Sequence, residues 1–270
     1  MTPLITFLTD YGLGDPFVGL CRIAVHRDCP EAVVVDLSHD VPHGAARLAD
    51  SVAWVGQPAV HLAVVDPGVG SDRREVIVAA GHDYLVGPDN GLLVEAAERL
   101  GGPDSCWEID AAALGREVSR TFHGRDVFAP VAARLAAGAD PADLGEASPV
   151  ETLERIPPAA LSVALGYLDV PVRDVDRFGN LQLHCGLEAL SEAGIGDGRP
   201  LWLHARGVEW PAKVVGTFAE LLSGEVGLLE DAFGWLAVAV ANGSARSRLG
   251  AGLHDPVTIE SQVELRLSDD

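Results

Sequence analysis

Apolar and polar positions along the first half of the chain follow two alternating rhythms. Short apolar runs, "LITFLTD" (4–10), "AVVVDL" (32–37), "AVHLAVVD" (59–66) and the pair "EVIVAA" and "YLVG", read as buried strands. Between them, "FVGLCRIAVHRDCP" (17–30), "AARLADSVAWVG" (45–56), "GLLVEAAERLGG" (91–102) and "VFAPVAARLAAG" (127–138) space their apolar residues as helices do. Strands alternating with helices predict a mostly parallel sheet flanked by helices.

The rhythm then changes. Residues 146–162 are rich in proline, alanine and acids and read as a linker. Beyond them, "LSVALGYLDVPV", "NLQLHC", "PLWLHA", "AKVVGTFA", "EVGLLE", "WLAVAVA", "PVTIE" and "QVELRL" recur about ten residues apart, the spacing of a small antiparallel barrel. The expected organisation is an α/β domain over 1–145, a linker over 146–162, and a smaller C-terminal β-barrel domain over 163–270.

Composition narrows the function classes. Of 270 residues, 48% are hydrophobic, enough for a full core. The apolar runs are too short to span a membrane, and the N-terminus has no basic region or cleavage site, so a soluble, cytoplasmic protein is expected. A net charge of −21 repels nucleic acid and anionic membranes and mildly favours a cationic ligand. Cys21, Cys29, Cys106 and Cys185 show no C-x-x-C spacing and read as buried free thiols.

Three predicted strands finish at or near an acid: Asp10, Asp36 and Asp66. In open α/β sheets, ligands bind beyond the carboxyl ends of strands. "VVDPGVGSDRR" (64–74) turns sharply after its acid and brings up two arginines. "TFHGRDVFAP" (121–130) sets His123, Arg125 and Asp126 just before a helix, with Arg125 and Asp126 expected as an ion pair and N-cap. In "VGPDNGLL" (86–93), Asp89 and Asn90 are expected to make the turn and cap a helix. Pro42 keeps His39 and His43 off a common helical face, against a metal site. There is no Walker A motif, dinucleotide fingerprint or nucleophile elbow.

Taken together, "FLTDYG" (7–12), "VVDPGVGSDRR", "GPDNG" (87–91), "TFHGRDVFAPVAA" (121–133) and "DRFGNL" (176–181) resemble, in order along nearly the whole chain, the S-adenosylmethionine hydrolases that form adenosine. These are also called SAM hydroxide adenosyltransferases and are relatives of the fluorinase and chlorinase enzymes. The resemblance implies an α/β domain and a small β-barrel. It also implies a homotrimer with sites between subunits, and no metal or redox cofactor, S-adenosylmethionine being the substrate. It makes Asp66, Arg73 and His123 the water-handling set and Asp10 the acceptor of the ribose hydroxyls. Asp176 would meet the methionine ammonium, Phe178 would stack, Asn180 would pair with adenine, and Phe218 would cover the purine. The segment "EDAFGWLAVAVANGSA" (230–245), with Ala232, Phe233 and Val240, would close the pocket. Ala232 and Phe233 stand where relatives carry Ser or, in the halogenases, Ser-Arg, so the side-chain grip on the methionine carboxylate is missing; either backbone N–H groups replace it or the amino-acid end is held loosely. The halogenases carry tyrosine where this chain has Asp66. A fixed anion beside the nucleophile repels halide, so Asp66 favours water. A SAM-dependent halogenase and a non-catalytic adenosine- or SAM-binding protein remain alternatives at this point.

Overall fold

The computed structural model describes residues 2–41, 44–196 and 200–261. The chain divides into two compact units, residues 1–156 and 157–270. The predicted strand "QVELRL" and His43 lie outside the described residues.

The first unit holds seven strands: β1 (Leu4–Thr9), β2 (Val33–Ser38), β3 (Val60–Val64), β4 (Glu75–Ala80), β5 (Asp83–Pro88), β6 (Ser105–Ile109) and β7 (Gly145–Ser148). They lie in the order β2-β1-β3-β5-β4-β6-β7. The β2, β1, β3 and β5 strands are parallel, and β4, β6 and β7 extend the sheet through antiparallel pairings. Helices α1 (Phe17–Asp28), α2 (Ala45–Val52), α3 (Val94–Arg99) and α4 (Ala129–Ala136) cover it.

Side chains of a strand alternate between its faces. Ile5, Phe7, Leu62 and Val64 pack with Val25 of α1 and Val131 of α4 in one cluster, while Leu8, Ala63 and Val65 pack with Leu48 of α2 and Ala96 of α3 in another. Both faces of β1, β3 and β5 are therefore buried, which is why those strands read as nearly continuous apolar runs. The "AVVVDL" run, expected as a buried strand, is instead the edge strand β2 and leaves Val33 and Val35 exposed. The four cysteines are free and buried, and desolvation pushes the Cys21 thiol up to about 12 and that of Cys106 to about 11.

The second unit contains β8 (Ser162–Ala164), β9 (Tyr167–Val175), β10 (Leu181–Leu183), β11 (Leu201–Ala205), β12 (Val208–Val214), β13 (Val226–Glu230), β14 (Leu236–Val240) and β15 (Pro256–Ser261), with short helices α5 (Glu188–Glu192) and α6 (Ala245–Leu249). The order β10-β14-β13-β12-β11-β15-β9 closes on itself because β10 also pairs with β9, and β8 hangs on β9 outside the ring. This is a seven-stranded barrel, antiparallel except for the β12–β13 pair. Alternation is clear in "LWLHA", where Leu201, Leu203 and Ala205 face the barrel core and Trp202 and His204 face outward.

The expected linker begins later than its composition suggests. Residues 145–148 pair with β6 as the edge strand of the first sheet, and the first unit runs on to Ile156. Among the described residues, no helix is long and apolar enough to cross a membrane.

Candidate active site

Strands β1 and β3 are parallel neighbours with Thr9 opposite Val64, so the chain leaves both at the same edge of the sheet. Asp10 follows β1 directly and Asp66 lies two residues past β3. Asp36, inside β2, is occupied differently: it accepts from Arg22 Nε at 3.2 Å and sits 3.2 Å from His39 Nε2. His39 is itself buried against Thr9, its Nδ1 2.8 Å from the Thr9 hydroxyl. Asp36 and His39 thus brace the sheet edge.

The loop after Asp66 folds tightly. The Asn90 amide donates to the Val65 carbonyl at 2.9 Å and fixes the backbone just before Asp66. Ser71 Oγ donates to the Gly68 carbonyl at 2.7 Å and closes the turn. Gly70 has φ +79°, and a Cβ there would stand 2.6 Å from the Arg120 carbonyl oxygen. Only glycine permits that backbone and that approach. The loop is thereby laid against residues 120–123, and His123 is carried to it.

His123 precedes a π-helical turn, Gly124–Phe128, that runs directly into α4. Gly124 is required for a second reason: a Cβ on it would lie 2.2 Å from the Tyr11 hydroxyl. Asp126 does not cap the helix as expected. It pairs with Arg125, Nε to Oδ1 at 2.6 Å, and accepts from the Ser119 N–H at 2.9 Å, tying down the approach to His123.

These constraints bring three distant residues together. Arg73 grips Asp66 with two N–H groups, Nε to Oδ1 at 2.8 Å and Nη2 to Oδ2. Arg73 Nη2 also lies 3.1 Å from His123 Nδ1. A fourth member joins them: Glu75, at the start of β4, accepts from Arg73 Nη1 at 3.0 Å and contacts His123 Nδ1. Burial opposes the Arg73 charge, but its bonds to Asp66 and Glu75 outweigh that and hold its pKa up. The cluster sets the two carboxyl groups of Asp66 and Glu75 around the one guanidinium of Arg73. Burial and the repulsion of Asp66 raise the Asp10 carboxyl above its usual range, against the pull of its backbone hydrogen bond.

The cluster borders a hollow of about 210 Å³ lined by Tyr11, Phe17, Asp66, Phe122, His123 and Gly124, among others. Its aromatic wall is self-supporting, with Tyr11, Phe17 and Phe122 in mutual edge-to-face contact. Among the described residues, no group of three or more His, Cys, Asp or Glu has a metal-holding arrangement.

The adjacent arginine does other work. Arg74 pairs with Asp89, Nε to Oδ2 at 2.9 Å, and reaches Ser148 and Thr152 on the far side of the strand. Asp89 is thus an ion-pair partner, and Asn90 an anchor for Val65, where the sequence suggests a turn and cap alone. Glu75 was not distinguished from its charged neighbours by sequence. The signal is the alternation of an extended segment: Arg73 and Glu75 are two apart and share a face, while Arg74 points to the other.

In the second unit, Asp176, Phe178 and Asn180 form one turn between β9 and β10. Asp176 accepts from the N–H groups of Phe178 and Asn180 at 2.8 and 2.9 Å and from the Asn180 side chain at 2.7 Å. The Phe178 ring is left 69% exposed. Phe218, in the turn after β12, and Phe233, in the β13–β14 turn, are exposed too, so none of the three is barrel core. Val240, at the end of β14, is core. Ala232 lies beside Phe233, but the N–H groups of Phe233, Gly234 and Trp235 are all spent on Asp231. Asp231 is fixed in turn by Gln182, whose oxygen accepts from the buried Arg173 at 2.7 Å. Those three N–H groups are therefore not free to hold a carboxylate.

A sheet edge that gathers two acids, a guanidinium and an imidazole beside an aromatic hollow, in a chain with a separate barrel, marks a candidate catalytic pocket of small-molecule size. Residues 5–145 match the SAM hydroxide adenosyltransferase N-terminal domain and residues 170–258 the C-terminal domain of the same family. An (R)-S-adenosyl-L-methionine hydrolase of Salinispora tropica is 46% identical over 255 residues, spanning 92% of this chain and 94% of that protein. A fluorinase of an Actinoplanes species is 27% identical over 271 residues, spanning 88% and 90%. The crystal structure of an uncharacterized conserved protein from Thermotoga maritima superposes with a TM-score of 0.84 at 31% identity, covering 94% of this chain and 99% of that one. The chain belongs to the SAM hydroxide adenosyltransferase family.

Proposed function

We propose that this enzyme hydrolyses S-adenosyl-L-methionine at the ribose 5′ carbon, giving adenosine and L-methionine. A water oxygen bonds to C5′ as the C5′–S bond breaks, and the bonding pair leaves on sulfur as a neutral thioether. A sulfonium departs without acid help, so the task is to orient water and take its proton. Asp66 orients the water, Arg73 holds Asp66, and His123 accepts the proton. A positioned general base contributes about 10²–10⁴-fold, and in-line orientation contributes further. Asp10 takes the ribose hydroxyls, and the exposed Phe178 and Phe218 rings take the purine, with the barrel of one subunit serving the hollow of another in a homotrimer.

The observation that carries this reading is the convergence of Asp66, Arg73 and His123 beside the hollow. The relatives named as hydrolases support the reaction. The Asp66 carboxylate beside the hollow disfavours halide as nucleophile. The test incubates purified protein with each sulfur epimer of S-adenosyl-L-methionine in H₂¹⁸O, with and without chloride. Adenosine carrying ¹⁸O at the 5′ hydroxyl and equimolar methionine are expected, the faster epimer being the (R) form that the relative's name specifies. Formation of a 5′-chloro nucleoside, or nucleoside binding without turnover of either epimer, defeats the proposal.

A further inference from the structure

We propose that Glu75 is a positioning residue that holds His123 in its Nδ1–H tautomer and so leaves Nε2 as the acceptor of the water proton; this deepens the hydrolase reading and rests on it. Glu75 Oε1 contacts His123 Nδ1 and accepts from Arg73 Nη1 at 3.0 Å. A carboxylate oxygen acting as acceptor needs a proton on the nitrogen it meets. Arg73 Nη2 lies farther from the same Nδ1, at 3.1 Å, and directs one of its two hydrogens to Asp66 Oδ2. The Glu75 oxygen is the nearer neighbour of Nδ1 and has no hydrogen to offer, so a bare Nδ1 would set two lone pairs against each other; the ring proton is assigned to this contact and the lone pair to Nε2. A base held in one tautomer by a carboxylate is the arrangement that lets an imidazole take a proton on the opposite nitrogen.

The placement is enforced on both sides. Glu75 begins β4 and is fixed by its pairing with Pro88 of β5. His123 is fixed by the π-helical turn behind it. Both side chains are largely buried, 13% and 15% exposed. The charged and titratable groups that face His123 are Glu75 and Arg73 from the segment entering β4, Asp66 and Tyr11 around the hollow, and Asp126 on its own turn. Of these, Glu75 is the carboxylate in contact with Nδ1. In the reaction, the water proton passes to Nε2 and the imidazolium so formed has Glu75 as its counter-ion, with no net change in the atoms of the enzyme once that proton is returned to solvent.

The experiment compares wild type with Glu75→Ala and the isosteric Glu75→Gln. It follows S-adenosylmethionine hydrolysis across pH and, without substrate, the ¹⁵N–¹H correlation of the His123 ring. Loss of a carboxylate that sets the tautomer of a catalytic imidazole costs up to about 10⁴-fold, so kcat of Glu75→Ala is expected to fall by about 10²–10⁴-fold with KM little changed. The acid limb of the kcat profile is expected to move to lower pH in both variants, because the imidazolium loses its counter-ion. Wild type should show a proton on Nδ1, Glu75→Gln should keep it, and Glu75→Ala should lose that preference. A merely structural Glu75 would lower stability without moving the acid limb. An unmoved acid limb in Glu75→Gln, or a wild-type ring protonated on Nε2, overturns the proposal. Should Glu75→Ala not fold, Glu75→Gln carries the kinetic test. Should wild type hydrolyse neither epimer, the hydrolase reading fails separately, and the ring spectrum still decides where the proton sits.

Discussion

The two units hold their candidate residues in opposite ways. In the first, Asp66, Arg73, Glu75 and His123 satisfy one another inside a nearly closed cluster, with Asp66 and Arg73 side chains 5% and 11% exposed. In the second, Asp176 and Asp231 spend themselves on the backbone of their own turns, and what those turns present is aromatic: Phe178 and Phe233. Groups that must act on a proton have to be fixed to a fraction of an ångström, which mutual hydrogen bonds in a low-dielectric site achieve. Groups that grip a flat ring need only an exposed face on a stiff turn. On the proposed reading, the first unit does the chemistry and the second holds the substrate.

That contrast can be broken most sharply at the cluster. Asp66→Asn and His123→Gln should each lower kcat by about 10²–10⁴-fold, the contribution of a positioned base, with folding retained on circular dichroism. The double variant should lose little beyond the worse single one, because members of a unit are not additive. Full activity in either single variant would remove the distinction between the units.

A second test concerns how tightly the first unit is sealed. His61 in β3 is fully buried, with Nδ1 2.8 Å from the Thr6 hydroxyl and Nε2 without a hydrogen-bond partner. Burial lowers its pKa to about 4. The unfolded chain titrates near 6.5, so between about pH 6.5 and 4 the unfolded state takes a proton that the folded state refuses. Stability is full above that window and lost as pH falls through it, by about 3 kcal/mol in all for a shift of this size. Urea unfolding at stepped pH should show this slope in wild type and lack most of it in His61→Leu. Equal slopes would mean that water reaches the sheet interior.

The smallest effect belongs to the second unit. Phe178→Ala should raise KM for S-adenosylmethionine about five- to tenfold, from a stacking contribution of about 1 kcal/mol, and leave kcat nearly unchanged. A loss confined to kcat would move Phe178 from holding to chemistry.

Much of this was legible from residues alone, for identifiable reasons. The β1, β3 and β5 strands are buried on both faces, so "LITFLT" and "VHLAV" announce themselves, and acids at their ends mark the edge where the candidate site lies. The β7 strand, "GEAS", escaped because an edge strand facing solvent carries no apolar signal; its glycine is set by the Glu108 carbonyl, which a Cβ at 145 would approach to 2.2 Å. Glu75 escaped because "SDRRE" is a run of charges whose facing is set only when the turn at Gly70 fixes where the strand begins. Asn90 and Asp89 fit a turn by type, and only the fold reveals that one anchors Val65 and the other answers Arg74.

The charge count of the cluster has a bearing on turnover. In the proposed reaction a sulfonium cation enters a region holding one more carboxylate than guanidinium, beside a further acid at Asp10. The reaction erases that cation: adenosine is uncharged and the thioether sulfur is neutral. Attraction to the site is thus strongest before bond cleavage and weakest after it, so the electrostatics that draw the reactant inward supply no reason for the products to stay.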